Sequence, residues 1–136
     1  MTFLDTNILV YAYDVDEKVK HQIAKDILVE CWKSRSGALS TQVLQEFYVT
    51  ITRKLPKKIP VPEAREIIRE FLAWPMYQIA PADIVKASEL EEKSGYTFWD
   101  SLVITAAQNT NAEILYSEDM QDGQQIGDLK IINPFK

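Results

Sequence analysis

At 136 residues, 46% hydrophobic and 26% charged, the chain suits one folded domain over residues 1–136 and is short for two independent ones. Four glycines and six prolines leave no low-complexity tract. A formal charge of −5 argues against broad electrostatic capture of nucleic acid, so any polyanion has to be met locally.

Thr2 to Leu4 form a short apolar run that stops at Asp5, a strand ending at an acid, and the apolar residues Ile8 to Tyr13 follow so closely that a helix must begin nearby. From Val19 to Lys33 the residues Ile23, Ala24, Ile27, Leu28, Cys31 and Trp32 recur at helical spacing with charges opposite them. Gly37 ends that helix, Ala38 to Thr41 reads as a second strand, and Val43 to Leu55 as a helix stopped by Pro56. After the linker KKIPVP, Pro62 opens a third amphipathic helix through Leu72, closed by Pro75. A strand at Tyr77 to Ala80, a helix from Pro81 to Lys93 ended by Gly95, and a helix from Asp100 to Asn109 come next. The last strands are Glu113 to Tyr116 and Lys130 to Ile132. Strands alternating with helices imply an α/β domain, with a mainly parallel sheet of about four to five strands flanked by helices on both faces.

No apolar run reaches the roughly 18 residues of a membrane span, and MTFLDTN meets an acid before a signal-peptide core could form, so a cytoplasmic protein is expected. One cysteine, Cys31, and one histidine, His21, make neither a disulfide nor a zinc set. Cys31 fits a small apolar filler on its helix.

In an open parallel sheet, ligands bind beyond the carboxyl ends of the strands. Asp5 and Asp119 follow strands, Asp100 opens a helix, and Glu46 lies a turn or so beyond the second strand. Four such carboxylates brought together repel one another unless a cation neutralises them, and an all-oxygen donor set suits magnesium or manganese better than zinc. Each acid also has a plain structural use. Asp5-Thr6-Asn7 are N-cap residues, Thr97 with Asp100 fits a capping box, Glu46 fits a water-facing helix position, and Asp119 fits a turn.

Four segments, FLDTNILVY, LQEF, FWDSLVITAA and LYSEDMQDG, resemble in order and spacing the signature segments of PIN domains, specifically the VapC-like toxins, over nearly the whole chain. The resemblance implies a PIN-like fold with Asp5, Glu46, Asp100 and Asp119 as the four catalytic acids, and Asp5 and Asp100 as the direct metal ligands. Thr6, Asn7 and Ser117 would give supporting hydrogen bonds. Asp122 is a fifth acid, read as a loop residue or a second metal position. The implied activity is a Mg2+-dependent endoribonuclease, with Mn2+ as a substitute, that cuts single-stranded or loop RNA, tRNA among the candidates, by in-line attack of water. The implied partners are a cognate antitoxin and a second copy in a homodimer.

The basic stretch Arg53, Lys54, Lys57 and Lys58 could hold RNA phosphates, or could be a solvated loop; Lys33 and Arg35 could extend the same rim. Trp74 to Tyr77 with Phe47, Tyr48 and Trp99 supply core packing or a groove for a partner. Other readings are a PIN nuclease that processes RNA without a toxin role, and a silent PIN scaffold, against which the retention of all four acids counts. A phosphoacceptor domain would need a lysine and threonine at the strand ends. A dehalogenase-like phosphatase would need a second aspartate where Asn7 stands.

Overall fold

The computed structural model describes all residues, Met1–Lys136, and its sheet runs in the order β3-β2-β1-β4-β6-β5. Strands β1 (Thr2–Leu4), β2 (Gly37–Ser40), β3 (Met76–Tyr77), β4 (Ile114–Tyr116) and β6 (Leu129–Ile132) are parallel, and β5 (Gln125–Ile126) adds an antiparallel edge. All four residues of β2 are buried, as expected of a strand covered on both faces. Six α-helices flank the sheet: α1 (Thr6–Tyr13), α2 (Lys18–Ser34), α3 (Thr41–Val49), α4 (Val61–Phe71), α5 (Pro81–Ser94) and α6 (Phe98–Asn109). None is long and apolar enough to cross a membrane.

The chain leaves β1 to build β2 and β3 on one side, then returns to build β4 and β6 on the other. The strand order therefore reverses at the β1–β4 boundary, where an open parallel sheet has its ligand crevice. Phe3, Leu4, Ile8, Leu9, Leu39, Phe47, Ile104, Leu115 and Ile131, all fully buried, form one continuous core beneath that boundary. Cys31 is buried in the same cluster, in line with its reading as an apolar filler.

Three local features differ from the sequence-based expectation. The sheet has six strands because Ile126 pairs Leu129 across a two-residue turn in which Gly127 adopts φ +58°, a conformation that suits glycine. The helix expected to run unbroken to Leu55 is α-helical only to Val49. Thr50–Lys54 then form a π-type turn in which Leu55 N–H donates to Thr50 O at 3.1 Å. Helix α6 starts two residues before Asp100, so that acid lies within its first turn.

Candidate metal-binding cleft

Asp5 leaves β1 with extended backbone and caps α1, its Oδ1 accepting from Thr6 N–H at 2.8 Å. The capping and functional readings of this residue are thus compatible, because capping uses one oxygen. Oδ2 accepts from the buried Ser117 hydroxyl at 2.8 Å, and Ser117 Oγ also accepts from Asp119 N–H at 3.3 Å. One serine at the end of β4 therefore ties the first acid to the backbone of the last.

Three further bonds tie these segments together. Thr6 Oγ1 donates to Glu46 Oε1 at 2.8 Å, fixing an acid on α3 from the first residue of α1. Asn7 Nδ2 donates to Asp119 Oδ2 at 3.1 Å, while Asn7 Oδ1 accepts from Glu118 N–H at 3.2 Å. Asp100 enters from the first turn of α6, whose N-cap is Thr97; Thr97 Oγ1 accepts from Asp100 N–H at 3.1 Å. The reciprocal half of a capping box, from a carboxylate back to the Thr97 amide, is not formed, and the Asp100 side chain faces the cleft instead. Replacing Thr97 by Ala is expected to cost about 1 kcal/mol, measured as a shift in chemical denaturation midpoint, with activity falling only as far as Asp100 is displaced.

All four acids line one cleft of ≈ 680 Å³, together with Asp14, Glu17, Gln42, Gln45, Thr50, Lys54 and Trp99 among others. Burial is the chief reason that the Asp5 carboxyl is pushed up from 3.8 to about 7. Hydrogen bonds from Ser117 and Thr6 oppose the rise, and the charges of Asp100 and Glu46 add to it. Burial also raises Asp100, against hydrogen bonding with Thr97 and with the charges of Asp119 and Glu46 behind it. Asp5 and Asp100 thus feel overlapping sets of negative neighbours. No three acidic, histidine or cysteine side chains are already drawn together as a closed ion cage. The oxygen-only donors, and a buried carboxylate that hydrogen bonds alone do not neutralise, fit a hard divalent ion.

Of the basic stretch, Lys54 alone lines the cleft; Arg53, Lys57 and Lys58 are exposed and lie outside its wall. Lys57 and Lys58 lie beyond the turn that ends at Lys54, in the irregular segment before α4. Lys33 and Arg35 are likewise exposed and away from the cleft. Asp122 does not line the cleft, and its Oδ1 accepts from Asn133 N–H at 2.8 Å as a loop clamp.

The sequence reading missed a supporting network and an anchor. Tyr11 donates to Glu118 Oε1 at 2.7 Å and Lys20 pairs Glu118 Oε2 at 2.7 Å, steadying the loop that carries Asp119. Gln42 Nε2 donates to Trp99 O at 3.3 Å, and its buried Oε1 has no partner. Spacing on α1 and α2 places Tyr11 and Lys20 on polar edges, but only the fold brings Glu118 to them.

The PIN domain family model matches residues 2–122. By whole-sequence similarity, no curated protein matches the chain. Among solved structures, a chain of a toxin–antitoxin complex from Klebsiella pneumoniae is 17% identical, with a TM-score of 0.69 over 98% of both chains. Mycobacterium tuberculosis VapC20, a sarcin-ricin loop cleaving toxin, is also 17% identical, with a TM-score of 0.66 over 85% of this chain and 87% of that one. VapBC2 from Rickettsia felis, bound to a DNA fragment of its promoter, gives 21% identity and a TM-score of 0.64 over 96% of both chains.

Proposed function

The chain belongs to the PIN-domain family, and from that premise we propose that it is a magnesium-dependent endoribonuclease and the toxin of a VapBC-type toxin–antitoxin pair. The observation that carries the proposal is the convergence of Asp5, Glu46, Asp100 and Asp119 from four separate segments on one cleft. Asp5 and Asp100 would hold the ion, with Glu46 and Asp119 completing the shell, and manganese could replace magnesium. When bound, the ion supplies Lewis-acid polarisation of a phosphate oxygen and eases deprotonation of water.

The chain's own residues supply orientation. Ser117 and Thr6 hold the two oxygens of Asp5, leaving its direction set before any ligand arrives. Thr6 engages Oε1 of Glu46 and Asn7 engages Oδ2 of Asp119, so each acid has a second oxygen free to accept a proton from an attacking water. Groups held in this way need little reorganisation during reaction. The substrate is single-stranded or loop RNA, with tRNA among the candidates. A cognate antitoxin would place a cation among the cleft's carboxylates, and a homodimer is the expected assembly.

The test is cleavage of a labelled total-tRNA pool by purified, antitoxin-free protein with magnesium or manganese, against excess EDTA, with Asp100→Asn alongside. Metal-dependent cutting that the variant loses is the expected result. Cutting that survives EDTA or the substitution removes the metal assignment. A folded protein that cuts no RNA under any condition is instead a silent scaffold.

A further inference from the structure

We infer that Trp99 is a nucleobase-stacking residue, the platform on which a base of single-stranded RNA lies while an adjoining phosphate reaches the carboxylates. The inference rests on the nuclease reading and names how that cleft holds its substrate. Trp99 is 61% exposed, whereas Trp74 is buried and Trp32 stacks on Phe71. One exposed apolar side chain needs no explanation by itself. This one lines the acidic cleft and immediately precedes Asp100. Both side chains line that one cleft, so a base on the ring and a phosphate at the carboxylate can belong to adjoining parts of one strand.

The ring is also held. Phe98 meets it edge-on, with centroids 5.2 Å apart and planes at 76°, and the buried Gln42 side chain fixes the Trp99 carbonyl. Electrostatics give the second argument. The cleft wall carries Asp5, Asp14, Glu17, Glu46, Asp100 and Asp119 against the single cation Lys54. Phosphate ion pairing cannot supply most of the affinity in such a place. Stacking can, because every base offers a π-face and no charge is needed. This favours RNA over a protein occupant at this ring.

The experiment titrates wild type, Trp99→Ala and Trp99→Phe with a 2′-O-methyl oligoribonucleotide of about eight nucleotides in EDTA, so that binding is read without cleavage. The matching duplex serves as control. Tryptophan emission of wild type should be quenched by the single strand and little by the duplex. Trp99→Phe should lose the quench while keeping affinity within a few-fold, and Trp99→Ala should bind about 10- to 100-fold more weakly. Equal affinity in Trp99→Ala, a quench that persists in Trp99→Phe, or no binding by folded wild type overturns the inference. So does a change of sedimentation in Trp99→Ala with oligonucleotide affinity unchanged, which assigns the ring to a protein contact. Quenching without metal-dependent cutting would leave stacking intact and remove the nuclease reading. Cutting whose kcat/KM is unaltered in Trp99→Ala does the reverse.

Discussion

Replacing Asp5 with Asn should lower RNA cleavage by on the order of 10³-fold or more, and in EDTA at about pH 8 should make the protein more stable than wild type. The two effects have one origin. Burial holds the Asp5 carboxyl at about 7 against 3.8 when exposed, so folding favours its protonated form. The sign follows directly. Well below pH 3.8 the group is protonated in both states and wild type carries no penalty. As pH rises toward 7 the unfolded chain ionises first, and above 7 the folded protein bears the full cost of a buried carboxylate. A displacement of this size corresponds to roughly 4 kcal/mol.

Asn is nearly isosteric, keeps an oxygen for the Thr6 amide, and can donate to Ser117 Oγ in place of accepting from it. The variant should therefore melt higher than wild type at pH 8, and the two should converge as the pH falls below 3.8. Added magnesium should raise the melting temperature of wild type and leave the variant almost unmoved, since an ion bound only to the folded state stabilises by mass action. Thermal melts of both proteins across pH, with and without magnesium, decide the matter. A variant that is less stable at pH 8 in EDTA, together with a wild type indifferent to magnesium, would leave Asp5 as a helix cap and nothing more.

Much of this site could be read from the chain because strand ends are marked locally. Asp5 follows an apolar run and begins a cap, and Asp119 follows ILYS, so both are placed by short-range signals that survive folding unchanged. Capping takes one oxygen of Asp5 and the Ser117 hydroxyl the other, a pairing that the local sequence does not announce. Less could be read of the helix after Ser40. Apolar spacing through Leu55 fits an α-helix, and nothing in it marks the widening at Thr50–Lys54. Arg53, Lys57 and Lys58 stand near Lys54 in sequence yet do not share its place in the cleft wall, because sequence proximity carries no direction. Strand β5 escaped because two residues show no alternation, although Gly127-Asp128 is a hairpin signal. For Trp99 the sequence leaves core packing and a partner groove both open, because exposure is a property of the fold; the side chain is 61% exposed.

Glu46 stands on α3 beside Phe47, and the position of that acid depends on how firmly the helix is seated. Phe47 is fully buried, its ring 5.5 Å from Tyr13 and 6.1 Å from Phe71, which itself packs against Trp74 and Trp32. Truncation to Ala removes a core aromatic and opens a cavity, expected to cost about 3–5 kcal/mol, a large share of the roughly 5–15 kcal/mol that holds a domain of this size. The melting temperature should fall by roughly 10–20 °C, whereas Leu72→Ala, at a side chain 65% exposed, should move it by no more than about 2 °C. Calorimetry on the two variants makes the comparison. Below the melting point of Phe47→Ala the Thr6–Glu46 bond at 2.8 Å still tethers the acid to α1, so kcat should suffer less than stability. If Phe47→Ala instead melts with wild type but loses its activity, the aromatic cluster is dispensable to the fold, and its role is to aim Glu46 into the cleft.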